Sequence, residues 1–93
     1  MFKADMRNRG RTEIVGNILD AANGGITKTK IMYKAFIGYA QLNEYLSILT
    51  ETNLIEYFDG TQTYKTTEKG LHFLKMHNEL KKLLPQTAMI NNK

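Results

Sequence analysis

Basic side chains that can bind phosphate groups are concentrated in the first third of the chain. Residues 1–35 carry a net charge of +4, which equals the formal net charge of the whole 93-residue chain. Lys28, Lys30 and Lys34 fall in the segment K-T-K-I-M-Y-K-A, which predicts a short helix capped by Thr27. Because a helix N-terminus adds a positive partial charge and free N–H groups, these lysines are candidates for binding DNA phosphates. An ordinary solvated helix face is the alternative interpretation.

A second basic group lies near the N-terminus, where Arg7, Arg9 and Arg11 alternate with polar residues and Gly10. Basic arms of this kind can enter a DNA minor groove. We therefore predict a basic arm at 1–11, with Arg9 and Arg11 as candidate DNA contacts. A frayed basic terminus is the alternative.

Amide and phenol side chains open the next predicted helix, which runs from Tyr39 to about Thr52. Asn53 suits the left-handed position just past its end. Gln41 and Asn43 have the amide fork that pairs with adenine in the major groove. Gln41 lies at the flank of the helix, so a phosphate or structural contact is equally open to it. Tyr39 is a candidate for a phosphate contact or for packing on Phe36.

The outer face of this third helix is acidic. At 100° per residue, the face opposite Leu42, Leu46 and Leu49 holds Ala40, Asn43, Glu44, Ser47 and Glu51. Ser47 is a further candidate DNA contact, whereas the two carboxylates would repel phosphates. This face argues against tight binding in the major groove, although Glu44 can accept a hydrogen bond from a cytosine amino group.

The segment at 53–66 predicts a β-hairpin. Strand-like runs at 55–58 and 61–66 flank Asp59-Gly60, a strong turn signal. A two-stranded ribbon is not stable alone in water, so it must pack against helices. The residues expected to provide this packing are Leu54, Ile55, Phe58 and Tyr64. Gln62 and Lys65 are the candidate DNA contacts of the hairpin.

A long final helix is predicted from Glu68 to Leu84, with Thr67 as its cap and Pro85 as its end. Leu71 and Leu74 are expected to pack on the core of the same domain. More apolar surface remains than one core can cover, and such patches mark interfaces. The candidate dimerisation residues are Phe73, Met76, His77, Leu80, Leu83 and Leu84.

Several classes of function lack their residues in this sequence. The chain has no cysteine and no apolar run of about 20 residues that would span a membrane. His72 and His77 are five residues apart, so they cannot share a metal ion as an i, i+4 pair does. With no phosphate-binding glycine loop and no activated nucleophile, we expect no catalytic residue, metal or cofactor, and an intracellular location.

The order of elements is helix, helix, helix, strand, strand, helix. The first helix has one apolar stripe, spaced i, i+1, i+4, i+5, i+8 from Ile14 to Ala22. Thr12 is expected to cap this helix, and Gly24-Gly25 to end it. Helices two and three are joined by a short link, as in a helix-turn-helix. We predict a mainly α (α+β) winged helix-turn-helix fold. Its parts are a basic arm at 1–11, a winged-helix domain at 12–67, a dimerisation helix at 68–84 and a flexible tail at 85–93.

Three segments carry a resemblance to a known family: K-T-K-I-M-Y-K-A, the Q-L-x-x-Y-L core of helix three, and Y-K-T-T-E-K-G. Together they resemble archaeal winged-helix DNA-binding proteins that dimerise through an antiparallel coiled coil of their last helices. The T-E-K-G part is also similar to MarR-like and PadR-like regulators. The resemblance implies a dimer with helix three in the major groove and the hairpin as a wing at the minor groove.

The leading hypothesis is a homodimer that binds double-stranded DNA and regulates transcription, without a membrane partner. A less sequence-specific architectural DNA-binding protein is the nearest alternative. A winged-helix module that binds another protein through its acidic helix three is the alternative from a different class.

Overall fold

The computed structural model describes residues 9–83 of the chain. Its elements are α1 (Arg11–Ala21), α2 (Lys28–Ala35), α3 (Tyr39–Glu51), β1 (Ile55–Phe58), β2 (Thr63–Thr66) and α4 (Glu68–Leu83). This order and the single antiparallel hairpin confirm the predicted mainly helical winged-helix architecture. Arg7, Leu84 and the predicted tail at 85–93 lie outside the described residues.

Helix α1 begins at Arg11 with Gly10 as its N-cap. The Ile14 N–H donates to the Gly10 carbonyl oxygen at 3.0 Å, so Thr12 already lies in the first turn and its predicted capping role is wrong. The predicted stop is confirmed, because the helix ends at Ala21 and both following glycines are left-handed. Gly24 and Gly25 have φ values of 95° and 94°, which glycine adopts at low cost.

The core lies where α1, α2 and α3 meet the first strand. Its largest fully buried side chains are Ile18, Leu19, Ile31, Leu42 and Ile55. The apolar stripes predicted for α1 and α3 are therefore confirmed. Each of these side chains contributes about 1.5–3 kcal/mol by leaving water, and together they fix how the helices cross.

The hairpin, called the wing below (β1, β2 and the loop at 59–62), differs from the prediction at its tip. Phe58 pairs with Thr63, so four residues close the loop and β2 starts two residues later than expected. Gln62, with φ 54°, occupies the left-handed position, whereas Gly60 has no positive φ. The prediction of a two-residue turn at Asp59-Gly60 is therefore wrong. Hairpin loops of four residues are most often built around a type I turn instead.

The wing is tied to the body by a short bridge that the sequence did not reveal. Ile26, in the loop between α1 and α2, exchanges two backbone hydrogen bonds with Tyr64 at 3.0 and 2.8 Å. The buried hydroxyl of Thr66 donates to the Leu19 carbonyl oxygen at 2.6 Å. These contacts hold β2 against α1 and set the direction in which the wing projects.

The T-E-K-G segment joins the end of α3 to the start of α4. The Thr67 hydroxyl accepts from the Gly70 N–H at 3.0 Å, which confirms the predicted cap, and donates to the Asn53 carbonyl oxygen at 2.6 Å. Asn53 takes the left-handed conformation expected just past a helix, with φ 66°. The Lys69 ammonium donates to the Thr52 carbonyl oxygen at 2.9 Å. Residues 67–69 thus satisfy the carbonyl groups left open where α3 ends.

Two apolar residues predicted to pack inward are exposed. Phe58 lies three residues from Ile55 and so on the opposite face of the strand, where it is 41 % exposed. Leu71 is 40 % exposed because Gly70 and Leu74 are the buried residues of α4. The absence of a side chain at Gly70 lets the helix approach Leu54, which turns Leu71 away from the core.

Candidate nucleic-acid interface

Three of the predicted DNA-binding residues meet where α2 and α3 begin. The Lys28 ammonium donates to the Asn43 amide oxygen at 2.6 Å and lies 4.9 Å from the centre of the Tyr39 ring. Thr27 fixes Lys28 at this place, because its side chain accepts the Lys30 N–H as the cap of α2. We call Lys28, Tyr39 and Asn43 the polar cluster.

The polar cluster changes the acidity of Tyr39. The hydrogen bond from the Asn43 amide, followed by the charge and hydrogen bond of Lys28, holds the pKa of Tyr39 below its usual value. The Tyr39 side chain is 60 % exposed, so it can meet a phosphate without leaving the cluster. The predicted alternative, in which Tyr39 packs on Phe36, is not seen within residues 9–83, because the two rings do not contact each other and Phe36 is 64 % exposed.

The other two lysines of α2 lie on a different side of the helix. Lys34 lines a groove between α1 and α2 together with Asn17 and Asp20. Lys30 is exposed and lies one turn before Lys34. The structure therefore separates Lys28 from Lys30 and Lys34, which the sequence treated as one group.

Arg9 is held by the C-terminus of α2. Its guanidinium donates to the carbonyl oxygens of Ala35 at 2.7 Å and of Phe36 at 2.6 Å. A cation is favourable at this negative end of the helix dipole. Phe36 ends α2 in the left-handed conformation, with φ 53°, which is uncommon for a bulky residue. Arg9 thus fastens the start of the described chain to the turn between α2 and α3.

A second groove runs between the start of α1 and the outer side of α3. Its lining includes Arg9, Arg11, Gln41, Glu44 and Ile48. The structure brings the predicted contacts Arg11 and Gln41 together here, and both side chains are exposed. Ile48, in the middle of α3, was not among the predicted site residues but is 55 % exposed here. The same 100° spacing that placed Glu44 and Glu51 outward also places Ile48 there, so the signal was present.

A third groove, of about 620 Å³, separates α3 from the wing. Asn43, Ser47 and Thr50 line its α3 side, and Tyr57 and Tyr64 line its wing side. The two tyrosine rings pack on each other with centroids 4.7 Å apart, which keeps Tyr64 half-buried as predicted. Ser47 is exposed at the edge of this groove, so its hydroxyl is accessible.

The two predicted contacts of the wing lie apart from each other. Gln62 is exposed in the loop and lines a smaller groove with Thr27, Lys28 and Thr29. Lys65 is exposed on β2 directly opposite Glu56 of β1, which weakens its field. The stem of Lys65 lies 3.8 Å from the site where a side chain would begin at Gly25.

Helix α4 presents one face to its own domain and another to solvent. Met76, Leu80 and Leu83 are exposed by 58, 61 and 79 %. Phe73 is half-buried, with its ring stacked on that of His77 at 5.9 Å between centroids. His77 packs toward α1, where its ring occupies the space beside Gly16.

Residues 9–83 contain no group of three or more His, Cys, Asp or Glu side chains placed to hold a metal ion. Within the same range, no helix has the length and apolar character required to cross a membrane.

Comparison with known proteins agrees with this architecture. The chain is similar to the crystal structure of Sso10a-2, a DNA-binding protein from Sulfolobus solfataricus, with a TM-score of 0.75 and 25 % sequence identity, over 90 % of each chain. No curated protein matches the chain. The structural match confirms the resemblance to archaeal winged-helix DNA-binding proteins. A winged helix-turn-helix family model matches residues 8–84, most of the sequence. The chain therefore belongs to the winged helix-turn-helix family.

Proposed function

We propose that this protein binds double-stranded DNA as a homodimer and regulates transcription. The observation that carries the proposal is the open face of α3 beside the wing, on a fold shared with a DNA-binding protein over 90 % of both chains. An α-helix fits the major groove of DNA, so in this proposal α3 enters the major groove and the wing contacts the flanking minor groove. Residues 12–67 form the DNA-binding part in this proposal, and 68–84 form the dimerisation helix.

The cations available for phosphates are fewer than the sequence suggests. Lys30 and Arg11 are exposed, and Lys65 projects from the wing. Arg9 and Lys28 already donate hydrogen bonds within the chain, so phosphate contacts by them would compete with those bonds. We expect binding that depends strongly on salt and is of modest strength, since each phosphate contact releases about one counterion.

The outer face of α3 supplies few groups for reading bases. Ser47 can donate or accept, and Gln41 has a complete amide at the flank of the helix. Glu44 and Glu51 are exposed on the same face and repel phosphates. This composition supports only modest discrimination between DNA sequences. A less sequence-specific, architectural DNA-binding role is therefore the nearest alternative.

The homodimer rests on the exposed stripe of α4. Phe73, Met76, Leu80 and Leu83 follow each other at intervals of three, four and three residues, which is the spacing of a coiled-coil seam. Such a stripe needs a partner helix to remove it from water. We propose that the partner is α4 of a second copy, antiparallel to the first. Leu84, which lies outside the described residues, stays a predicted member of this interface. His77 packs within its own chain and is left out of this seam.

The test of DNA binding is fluorescence anisotropy with a random duplex over a range of salt concentrations. Wild-type protein is expected to bind at low salt. Lys30→Ala should weaken binding to every sequence and reduce the salt slope by about one unit. Lys34→Ala gives a comparison on the same side of α2 and should weaken binding less, because Lys34 shares its groove between α1 and α2 with the opposite charge of Asp20. No binding at low salt by the wild type would refute the proposal.

A protein partner for α3 is the second candidate function. Ile48 is 55 % exposed on the same face as Glu44 and Glu51, and an apolar residue bordered by carboxylates suits a basic amphipathic partner. Glu44→Lys separates the two functions. It should strengthen binding to random DNA by removing a repulsion, and it should weaken binding to a basic protein. If Glu44→Lys and the wild type are equally unable to bind DNA, the protein-binding function is favoured.

A further inference from the structure

We infer that the outer face of α2 binds single-stranded DNA, by stacking unpaired bases on Tyr33 and Phe36 and by contacting phosphates through Lys30. This surface, called the aromatic face below, consists of Lys30, Tyr33, Lys34 and Phe36. The α3 and wing surface proposed for duplex DNA includes neither of the two rings. The inference therefore goes beyond the proposed function and does not depend on it.

Two large aromatic side chains of the aromatic face are open to water. Tyr33 is 71 % exposed and Phe36 is 64 % exposed. Tyr33 lies opposite the side of α2 that is turned to the core, since Ile31 and Ala35 are the buried residues of this helix. Phe36 follows directly at the end of the helix. Exposed apolar surface of this kind marks a binding surface.

Cations lie beside these rings. Lys30 precedes Tyr33 by three residues, so the two side chains are neighbours on the helix surface, and both are exposed. The Arg9 guanidinium donates to the Phe36 carbonyl oxygen at 2.6 Å, which places a further positive charge near the second ring. Aromatic rings combined with cations can stack the bases and contact the phosphates of a single strand.

The charge of this part of the chain favours a polyanion. Between Asp20 and Glu44 the sequence has three lysines and no carboxylate. Asp20 lines a groove with Lys34, so the phosphate contact is assigned to Lys30. The wing provides a contrast, because its exposed ring, Phe58, is followed directly by Asp59.

A single strand fits the aromatic face better than a duplex or a second copy of the chain. In a duplex the flat faces of the bases are covered by their neighbours, so a protein ring can stack only on bases that are unstacked. A second copy packed through the same face would bring Lys30 and Lys34 against the same lysines. Single-stranded DNA instead offers a free base and a phosphate in every nucleotide.

The experiment uses the full chain and a fluorescent oligonucleotide of about 12 thymidines, within the usual range of single-strand site sizes. Fluorescence anisotropy at low salt should detect binding by the wild type. Tyr33→Ala should weaken binding about tenfold, because it removes the stacking of one base, and should leave the salt slope unchanged. Lys30→Ala should reduce the salt slope by about 0.7 units, the value for one phosphate contact of a single strand.

Three further variants separate stacking from a loss of folding. Tyr33→Phe keeps the ring and should bind as the wild type does. Phe36→Asn removes the second ring at a left-handed position that asparagine tolerates, and should weaken binding as Tyr33→Ala does. Phe58→Ala removes an exposed ring beside a carboxylate and should leave single-strand binding unchanged.

The same proteins are measured with a duplex in parallel. Lys30→Ala should affect both kinds of DNA, whereas Tyr33→Ala should bind the duplex as the wild type does. Absence of single-strand binding by the wild type, or wild-type binding by both Tyr33→Ala and Phe36→Asn, would overturn the inference. An equal loss on single strand and duplex for Tyr33→Ala would also overturn it. Single-strand binding without duplex binding would refute the proposed function alone.

Discussion

A methyl group added at Gly70 in α4 would lie against the carbonyl oxygen of Leu54, the residue that precedes the wing. It would also lie 2.6 Å from the Thr66 side-chain methyl carbon. Because both neighbours are held by hydrogen bonds, Gly70→Ala should lower the free energy of unfolding by about 1–3 kcal/mol. Urea denaturation followed by circular dichroism measures this change.

Gly60→Ala is the matched control for that substitution. Gly60 lies in the wing loop with no atom near the site of a new methyl group and without a positive φ. Its replacement should change the free energy of unfolding by less than about 0.5 kcal/mol. Equal losses at Gly60 and Gly70 would contradict the close packing described for α4.

The left-handed Phe36 gives a second prediction. Phe36→Gly removes a penalty of about 1–2 kcal/mol for the left-handed backbone. Two effects oppose this gain: glycine raises the conformational entropy of the unfolded chain, and the contacts of the partly buried ring are lost. We expect its free energy of unfolding to equal or exceed that of the wild type. Tyr33→Gly, at a similarly exposed aromatic inside α2, should instead lose about 1 kcal/mol. Thermal unfolding of the two variants compares them directly, and a larger loss for Phe36→Gly would show that its ring stabilises the turn.

The third prediction concerns the exposed stripe of α4. Combined Leu80→Glu and Leu83→Glu substitutions should convert a dimer into monomers in sedimentation experiments while the circular dichroism stays helical. Charged residues at seam positions cannot be buried without a large penalty. Leu71→Glu is the control, since Leu71 is exposed on another side of the helix and should leave the dimer unchanged. A wild type that sediments as a monomer at micromolar concentration would exclude the seam.

The fourth prediction concerns the ionisation of Tyr39. Its pKa is lowered by the Asn43 hydrogen bond and by Lys28, so Lys28→Met should raise the pKa toward its usual value. The difference in tyrosinate absorbance between each protein and its Tyr39→Phe derivative isolates this group. Because the pKa of Tyr39 is lower in the folded than in the unfolded chain, its ionisation contributes to the free energy of unfolding. That contribution is fully present only above the pKa of the unfolded chain. It is lost as the pH falls through the folded pKa. An unchanged pKa in Lys28→Met would show that the polar cluster does not form.

Local signals in the sequence were sufficient to predict most of the helical frame. The bounds of α2 were predicted because Thr27 is an effective cap and the apolar spacing that follows is helical. The buried positions of α1 and α3 follow from the same periodicity, since each helix places one stripe against the others. The left-handed Asn53 was predicted because few other residues adopt that conformation at low cost.

Contacts between distant segments were not predictable in this way. The wing loop has four residues because β2 is held by Thr66 and by Ile26, and neither contact has a local signature. The pairing of Lys28 with Asn43 joins residues 15 positions apart, so the sequence presented both as independent DNA contacts. Gly70 belongs to the T-E-K-G motif, but the sequence does not show why glycine is needed there. The structure shows that a side chain at this position would collide with Leu54.

Hydrogen bonds from Thr67 and Lys69 to the carbonyl groups of residues 52–54 connect the end of α3 directly to the start of α4. These bonds restrict rotation of α4 relative to α3. In the proposed dimer, the paired α4 helices would therefore fix the distance between the two α3 helices. A site with two halves would have to match that distance and the phase of the DNA helix. Inserting about 5 base pairs, half a helical turn, would move the second half to the far side of the duplex. The dimer would then bind such DNA through one subunit only. A dimer with a flexible linker in place of the T-E-K-G segment would bind both half-sites at either spacing.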